Sequence, residues 1–285
     1  MASQARKIFE KSRRNKYAIG AFNAGTFESI KAIINVAARL KSPAIIEASP
    51  GETSYLGLDA LSAIVRALAR QAKAQILLNL DHAKDPTLVL QAARLGFDLV
   101  HYDGSLLTPE ENKKNLLRIV PIAHRAGSLV EAEREHIMGS STIYDKKIAQ
   151  GAPGELTDPA VAREFARSIG FDILAVSVGE AHGMYQGGKN IDAKLIKKIH
   201  TAVPTYLSLH GGSGIPANQI RSAVKAGITK INVNTEIRLA YSSTLRRSLA
   251  SSNSIVPYEI LPPVIKAIEQ VVERKIKIFG SAGKA

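Results

Sequence analysis

The sequence predicts an α/β protein, a closed (β/α)8 barrel with a C-terminal helical extension, and three observations predict it. Short apolar runs rich in β-branched residues alternate with amphipathic stretches along the whole chain. The alternation repeats eight times, the number that closes a parallel barrel. Polar residues recur where the apolar runs end, and strand ends are where such barrels build their sites. At 285 residues the chain exceeds the roughly 250 of one barrel by a single extension, so residues 1–285 read as one domain. A doubly wound open sheet is the alternative, because pattern alone does not fix the strand number.

The elements follow in order. Residues 17–23 read as a strand and 27–40 as an amphipathic helix. The next apolar run is 44–48, followed by a helix near 58–71. The run 75–81 is rich in leucine and ends in Asp81-His82. Pro86 then opens a helix to 95, since proline lacks only an N–H that the first turn leaves unpaired. Residues 97–102 are strand-like, and Glu110 and Glu111 suit the N-terminal turn of a helix over 109–126. The fifth strand spans 128–133. Residues 134–156 show no clear period and read as a loop. A helix over 159–168, a strand over 172–178 and a helix over 192–201 come next. Strands at 205–210 and 230–233 alternate with helices at 216–226 and 236–248, and a final helix covers 262–279. The strands read as continuously apolar, as parallel sheets buried on both faces require.

Composition narrows the function. There is no cysteine, so disulfides and thiolate ligands are excluded and any metal must sit on His, Asp or Glu. No apolar run reaches the roughly 18 residues of a membrane span, and the N-terminus leads into a polar, basic helix rather than a signal core. A cytoplasmic protein with no membrane partner is expected. The net charge is +13. Its Lys and Arg are spread over many helices, without an arginine-rich arm, and aromatics make up only 5%. That pattern suits phosphorylated metabolites better than nucleic acid.

The strand ends carry Asn23, Ser49, Asp81, His82, Asp103, Glu133, His182, His210, Asn232 and Asn234. Three neutral imidazoles with an open fourth position are a common catalytic zinc site, and His82, His182 and His210 supply them. Any one alone reads as an ordinary hydrogen-bonded loop histidine. Asp103 and Glu133 either offer a second cation position, orient the histidines, or form a salt bridge at the barrel mouth. Asp81 closes an apolar strand, where a raised pKa would suit a general acid or base; it could also cap the next turn. His210-Gly211-Gly212-Ser213-Gly214 and Asn232-Val233-Asn234-Thr235 place backbone N–H groups around an anion, at the loops where barrels often bind phosphate. A metal, a phosphate site and a carboxyl group together point to polarising the carbonyl of a phosphorylated ketose.

Six segments resemble the class II, zinc-dependent fructose-bisphosphate and tagatose-bisphosphate aldolases. They are Leu80-Asp81-His82, Asp103-Gly104-Ser105, Val130-Glu131-Ala132-Glu133, Ala181-His182-Gly183-Met184-Tyr185, the 210–214 turn, and Lys230 through Glu236. The resemblance implies a TIM barrel, Zn2+ on His82, His182 and His210, and Asp103 and Glu133 as an alternative metal position. It implies Asp81 as proton donor to the C4 hydroxyl oxygen. Gly183, Gly211, Ser213, Asn234 and Thr235, in loops that include Gly212, would hold the phosphate of dihydroxyacetone phosphate, and Asn232 would touch its enediolate. It further implies a homodimer or homotetramer and a monovalent cation near the phosphate.

Three positions depart from that pattern. The family's loop glutamate, which moves the dihydroxyacetone phosphate proton, is replaced by serine. Glu135, Tyr144 and Asp145 are the candidates for its role. The family's Asp-Pro-Arg, whose arginine takes the far phosphate, is Val256-Pro257-Tyr258, and a family lysine is Gln186. The default substrate is fructose 1,6-bisphosphate. The alternatives are tagatose 1,6-bisphosphate, a ketose monophosphate, or a catalytically weak sugar-phosphate-binding protein.

Overall fold

The structure, a computed structural model, describes residues 3–144, 155–185 and 189–285. Asp145 and Gln186 lie outside the described residues. The first half runs α1 (Gln4–Asn15), β1 (Ile19–Asn23), α2 (Phe27–Arg39), β2 (Ala44–Ala48), α3 (Pro50–Leu56) and α4 (Leu58–Ala72). It continues with β3 (Ile76–Ala83), α5 (Pro86–Arg94), β4 (Leu99–Asp103), α6 (Pro109–Ala126) and β5 (Leu129–Glu133). Then come β6 (Gly139–Tyr144), α7 (Pro159–Ile169), β7 (Ile173–Ala175), β8 (His182–Tyr185) and α8 (Ala193–Ala202). The chain ends with β9 (Tyr206–Leu209), α9 (Ala217–Ala226), β10 (Ile228–Val233), α10 (Thr235–Ser251), α11 (Pro257–Ile260) and α12 (Pro262–Phe279).

Eight of these strands close a parallel barrel in the order β1-β2-β3-β4-β5-β7-β9-β10, with β10 paired back onto β1. The predicted (β/α)8 TIM barrel is therefore the observed fold. α12 packs on α2 and α10, and the Phe279 carbonyl at its end accepts the Ala18 N–H at 3.0 Å. The C-terminal extension thus closes the helical ring beside β1. No helix among the described residues is long and apolar enough to cross a membrane.

Two features differ from the sequence reading. The region read as a loop contains β6, which pairs in parallel with β8 outside the barrel. The strand expected over 172–178, β7, also stops short, at Ala175. Its ladder ends because side chains take the next donors: Ser177 N–H donates to Thr157 Oγ1 and Val178 N–H to Glu180 Oε2. His182 consequently sits at the start of β8, not on a barrel strand.

Inside the barrel, alternate residues of each strand point inward and form layers. At the N-terminal end Ile19, Ile45, Leu77, Leu99, Leu129, Ile173 and Tyr206 form an apolar plug, sealed by Ala5, Ile8 and Phe9 of α1. Two residues further along come Glu47, Asn79, His101 and Glu131, joined by Ser208 and Lys230, all fully buried. Two further still lie Asp81, Asp103, Glu133, His210 and Asn232. The apolar layer makes the barrel rigid, and the two polar layers above it carry the site.

Asp172 fastens the lower rim. Its Oδ2 accepts the Val130 N–H at 2.9 Å and His124 Nε2 at 2.7 Å, while Oδ1 pairs with Arg6 of α1. Burial would raise this carboxyl, but His124, the Val130 N–H and Arg6 outweigh it and hold its pKa below the usual value. A group lowered in the folded state stabilises fully above its unfolded pKa, about 3.9. That contribution is lost as pH falls through the lower native value. Asp172→Ala, which leaves a buried N–H, the His124 ring and the Arg6 guanidinium without their shared partner, should cost about 2–4 kcal/mol in urea unfolding at pH 7, and less at pH 3. Equal losses at both pH values would contradict the assignment.

Candidate active site

The C-terminal mouth of the barrel encloses a cavity of about 270 Å³. Asn23, Ser49, Asp81, His82, Asp103, Glu133, His182, Gly183, His210, Gly211, Ser213, Asn232, Asn234 and Thr235 all line it. Gly212 does not. Its N–H donates to the Asn232 carbonyl at 2.8 Å, and a Cβ there would meet Ile231 Cγ2 at 2.6 Å. Lys84, His136, Ile137, Gly139, Ser140, Ser141 and Arg238 complete the wall.

The three histidines converge. Ring centroids lie 4.9 Å apart for His82 and His182, 4.6 Å for His82 and His210, and 5.9 Å for His182 and His210. His82 reaches the cluster through a left-handed backbone (φ 50) at a register shift between β3 and β4. A non-glycine residue there is strained, and bulges of this kind re-aim side chains at functional sites. Each ring also has one nitrogen engaged by a hydrogen-bond acceptor: His82 Nδ1 by Asp103 Oδ2 at 3.1 Å, His182 Nδ1 by the Ile137 carbonyl at 3.2 Å, and His210 Nε2 by Glu131 Oε1 at 2.8 Å. Those acceptors fix the tautomers and leave a lone pair on His82 Nε2, His182 Nε2 and His210 Nδ1, the last of which accepts Asn232 Nδ2 at 3.3 Å.

Two of the atoms a metal would use, His82 Nε2 and Glu133 Oε2, are buried without a hydrogen-bond partner among the described residues. Ligand atoms of His82, Asp103 and Glu133 lie within 4.8 Å of one another, as do those of Asp81, His82, His101 and His210. Nitrogen and carboxylate donors without sulfur suit a borderline divalent ion such as zinc. The residues fit a metal.

His101, which sequence reasoning missed, sits at the centre of this cluster, fully buried, between the rings of His82 and His210. The His82 N–H donates to its Nδ1 at 3.1 Å. A neutral His101 therefore carries its proton on Nε2, 3.5 Å from Glu133 Oε2. Neither atom has a hydrogen-bond partner at that distance among the described residues, and His101 belongs with Asp81, His82 and His210 to the group whose ligand atoms lie within 4.8 Å of one another. Below it Lys230 Nζ lies 2.7 Å from Glu131 Oε2 and 3.4 Å from Glu47 Oε2, and Asn79 Nδ2 donates to Glu47 at 3.2 Å. This buried network fixes Glu131, which in turn fixes His210.

Electrostatics divides the carboxylates. A raised pKa was expected for Asp81, and the structure gives the opposite. Burial would raise it, but His82, His101 and Lys230 outweigh burial and hold it well below the usual range. Asp81 is thus a carboxylate at neutral pH, with Oδ1 accepting Asn232 Nδ2 at 3.2 Å. Burial, reinforced by Asp103, pushes Glu133 up to about 7. His82 goes the other way: burial opposes its charging, but Asp81, Asp103 and Glu133 push it up to about 10. Burial together with the charge on His82 brings His182 down to about 3 and His210 to about 4, so both stay neutral.

The departures resolve unevenly. Glu135 is buried away from the cavity, with Oε2 accepting Thr157 Oγ1 at 2.8 Å and Oε1 paired with Arg134 at 2.6 Å. Tyr144 stacks on Tyr185 with centroids 4.5 Å apart, and its hydroxyl accepts the Ser140 N–H at 2.9 Å. Among the described residues of this loop, His136 is the titratable side chain that lines the cavity, and its Nδ1 lies 3.2 Å from Ser105 Oγ. Tyr258 is 79% exposed and does not reach the cavity. Among the described residues, the cations at the mouth are Lys84 and Arg238, the latter paired with Glu52 at 3.0 Å. Glu52 also accepts the Ser49 N–H at 2.8 Å and Asn23 Nδ2 at 3.1 Å, which explains how those two expected residues are oriented.

Comparison with known proteins places this geometry. Residues 3–284 match the family model described as fructose-bisphosphate aldolase class-II. A fructose-bisphosphate aldolase of Thermus caldophilus is 34% identical, with 98% of each chain covered. The YdjI aldolase of Escherichia coli K12 superposes with a TM-score of 0.84 at 28% identity over 100% of both chains. A Coccidioides immitis structure superposes with a TM-score of 0.88 at 28% identity, covering 99% of this chain and 98% of its own.

Proposed function

The chain belongs to the class II fructose-bisphosphate aldolase family, and on that premise we propose that it catalyses zinc-dependent, reversible aldol cleavage of a ketose bisphosphate to dihydroxyacetone phosphate and an aldehyde. Fructose 1,6-bisphosphate is the default substrate. One observation carries the reading: a single cavity gathers three tautomer-fixed histidines, an ionised Asp81, and the turns at 210–214 and 232–235. Zinc on His82, His182 and His210, with Glu133 and Asp103 beside it, would supply Lewis acidity towards the substrate's carbonyl and hydroxyl oxygens.

The protein's own groups divide the remaining work. Gly183, Gly211, Ser213, Asn234 and Thr235, with the N-terminus of α10, present the near phosphate with backbone N–H groups and a helix dipole. Gly211 has φ +60 and Gly183 φ +97, and a Cβ on Gly183 would meet the Ser140 carbonyl at 2.7 Å, so neither position accepts a side chain. In cleavage Asp81 takes the proton of the C4 hydroxyl as the C3–C4 bond breaks, and it returns that proton in condensation. Asn232 contacts the enediolate that cleavage leaves. Lys84 and Arg238 supply the positive charge for the far phosphate that the absent arginine would have given. The family resemblance also supports a homodimer or homotetramer, one barrel domain over 1–285, and a cytoplasmic location.

The hydroxymethyl proton of dihydroxyacetone phosphate needs a base on the cavity wall, and His136 meets that requirement where the family's glutamate is missing. Exchange of this proton in D2O, followed by NMR, tests the half-reaction without any aldehyde. Chelator-sensitive exchange that Zn2+ restores is the expected result. His136→Gln should slow it about 10²–10⁴-fold while leaving zinc content unchanged. Unaltered exchange in that variant would remove His136 from the mechanism. A zinc-loaded wild type that binds dihydroxyacetone phosphate but exchanges nothing would favour a sugar-phosphate-binding protein.

A further inference from the structure

Two lysines stand behind the 210–214 turn, on the side away from the cavity, where the mechanism makes no use of them. Lys189 is 4% exposed, and its Nζ donates to the carbonyls of Gly211 at 2.5 Å and Ser213 at 2.7 Å. Lys275 of α12 is equally buried and donates to the carbonyl between those two, that of Gly212, at 3.2 Å. Lys275 is neutralised by Glu236 Oε1 at 2.5 Å, the same oxygen that accepts the Gly214 N–H. Lys189 has no ion pair at comparable distance among the described residues. Its backbone is held in place, because Ile191 N–H donates to Gln219 Oε1 at 2.9 Å and Asp192 N–H to the Val178 carbonyl at 2.9 Å.

We propose that Lys189 is a tethered counter-cation of the anion site. Its ammonium group fills, between two carbonyls of the turn, a position that would otherwise bind a free monovalent cation. The proposal rests on the reading of 210–214 as a phosphate turn. Two carbonyl oxygens converging on one point make a natural site for ammonium or potassium. Here the chain supplies the ion itself. The positive charge polarises the Gly211 and Ser213 peptides from behind, so that the turn meets the cavity as a stronger donor. Burial lowers the Lys189 pKa to about 7, so near neutral pH the group is partly neutral, and an anion in the turn draws it towards the ammonium form.

Inorganic phosphate binding to the zinc-loaded, full-length protein, measured by calorimetry at constant ionic strength, is the test. Lys189→Gln retains hydrogen-bond donors for the carbonyls but not the charge. Lys189→Met leaves the position vacant. Both should bind phosphate about 10- to 100-fold more weakly, the worth of one charge-assisted contact. Exchanging tetramethylammonium chloride for ammonium or potassium chloride should restore most of the loss in Lys189→Met and leave the wild type unchanged.

Wild-type affinity in Lys189→Gln would overturn the proposal, since hydrogen bonding without charge would then suffice. So would failure of both cations to rescue a folded Lys189→Met, equal stimulation of the wild type, or a wild type that binds no phosphate. Should Lys189→Met fail to fold, Lys189→Gln and the wild-type cation titration still decide. Lys189-dependent phosphate binding without proton exchange would sink the aldolase reading and leave this inference standing. Exchange with unaltered phosphate affinity in Lys189→Gln would do the reverse.

Discussion

His82→Ala should lose its zinc and, with it, the exchange of the dihydroxyacetone phosphate proton. His82 is the ligand candidate to which the other groups are tied: its ring touches those of His182, His210 and His101. If a site of this kind binds zinc with about 10–16 kcal/mol shared among four ligands, one imidazole accounts for about 2.5–4 kcal/mol, roughly 70- to 900-fold in affinity. The protein should remain folded, because His82 faces the cavity and the apolar plug beneath is untouched. The pH dependence identifies the residue more sharply than the loss alone. In the metal-free protein Asp81, Asp103 and Glu133 push His82 up to about 10, so it is an imidazolium at neutral pH and must release a proton to bind zinc. Apparent zinc affinity should rise about tenfold per pH unit from 7 to 9 through this group. His182 and His210 are already neutral and add no slope there. Competition with a chelator across that range measures both quantities. A His82→Ala protein that keeps stoichiometric zinc, or a wild type with no slope, would contradict the ligand assignment.

How far the sequence could be read depends on where polarity sits along each strand. Polar residues at strand ends stood out against apolar runs, so Asp81, Asp103, Glu133, His210 and Asn232 were legible, and the structure brings them into one cavity. The layer beneath was not. Glu47, Asn79, His101, Glu131, Ser208 and Lys230 lie inside runs read as continuously apolar, yet each faces the barrel axis. The signal was present: Asn79 and Asp81, His101 and Asp103, Glu131 and Glu133, Ser208 and His210, and Lys230 and Asn232 are each two apart. A period of two within a parallel strand means one inward face, and two polar residues on it mean a polar interior. His182 was legible as a residue beyond the end of a barrel strand; the short strand β8 that it opens was not. The raised pKa expected of Asp81 followed from its apolar neighbours in sequence. The cations that reverse it come from other strands.

Lys230→Met should damage both the fold and the metal site, and the second effect follows from the first. Lys230 is fully buried between Glu131 and Glu47, and the charge on Glu131 above all holds its pKa above the usual value despite burial. Burial pushes Glu47 up to about 8, so it carries a proton at neutral pH. Glu131 is held well below the usual range, because Lys230, His101 and His210 together outweigh its burial. The interior thus contains one ion pair and one neutral acid. Removing the ammonium leaves a buried carboxylate with no ion-pair partner, at a cost of about 3–5 kcal/mol, measurable as a shift of the urea midpoint at unchanged slope. Glu131 can relieve that cost by taking up a proton. A protonated Glu131 is a poorer acceptor for the His210 Nε2 proton, so the tautomer that leaves His210 Nδ1 open to a metal loses its support. Zinc affinity should fall about 10- to 100-fold, the usual effect of losing a partner that orients a ligand. Adding Glu131→Gln to Lys230→Met separates the two consequences. The amide removes the stranded charge and should recover much of the stability. It is a weaker acceptor than a carboxylate, so the zinc defect should persist. Recovery of zinc affinity in parallel with stability would mean that Glu131 acts on the fold alone and does not set the tautomer of His210.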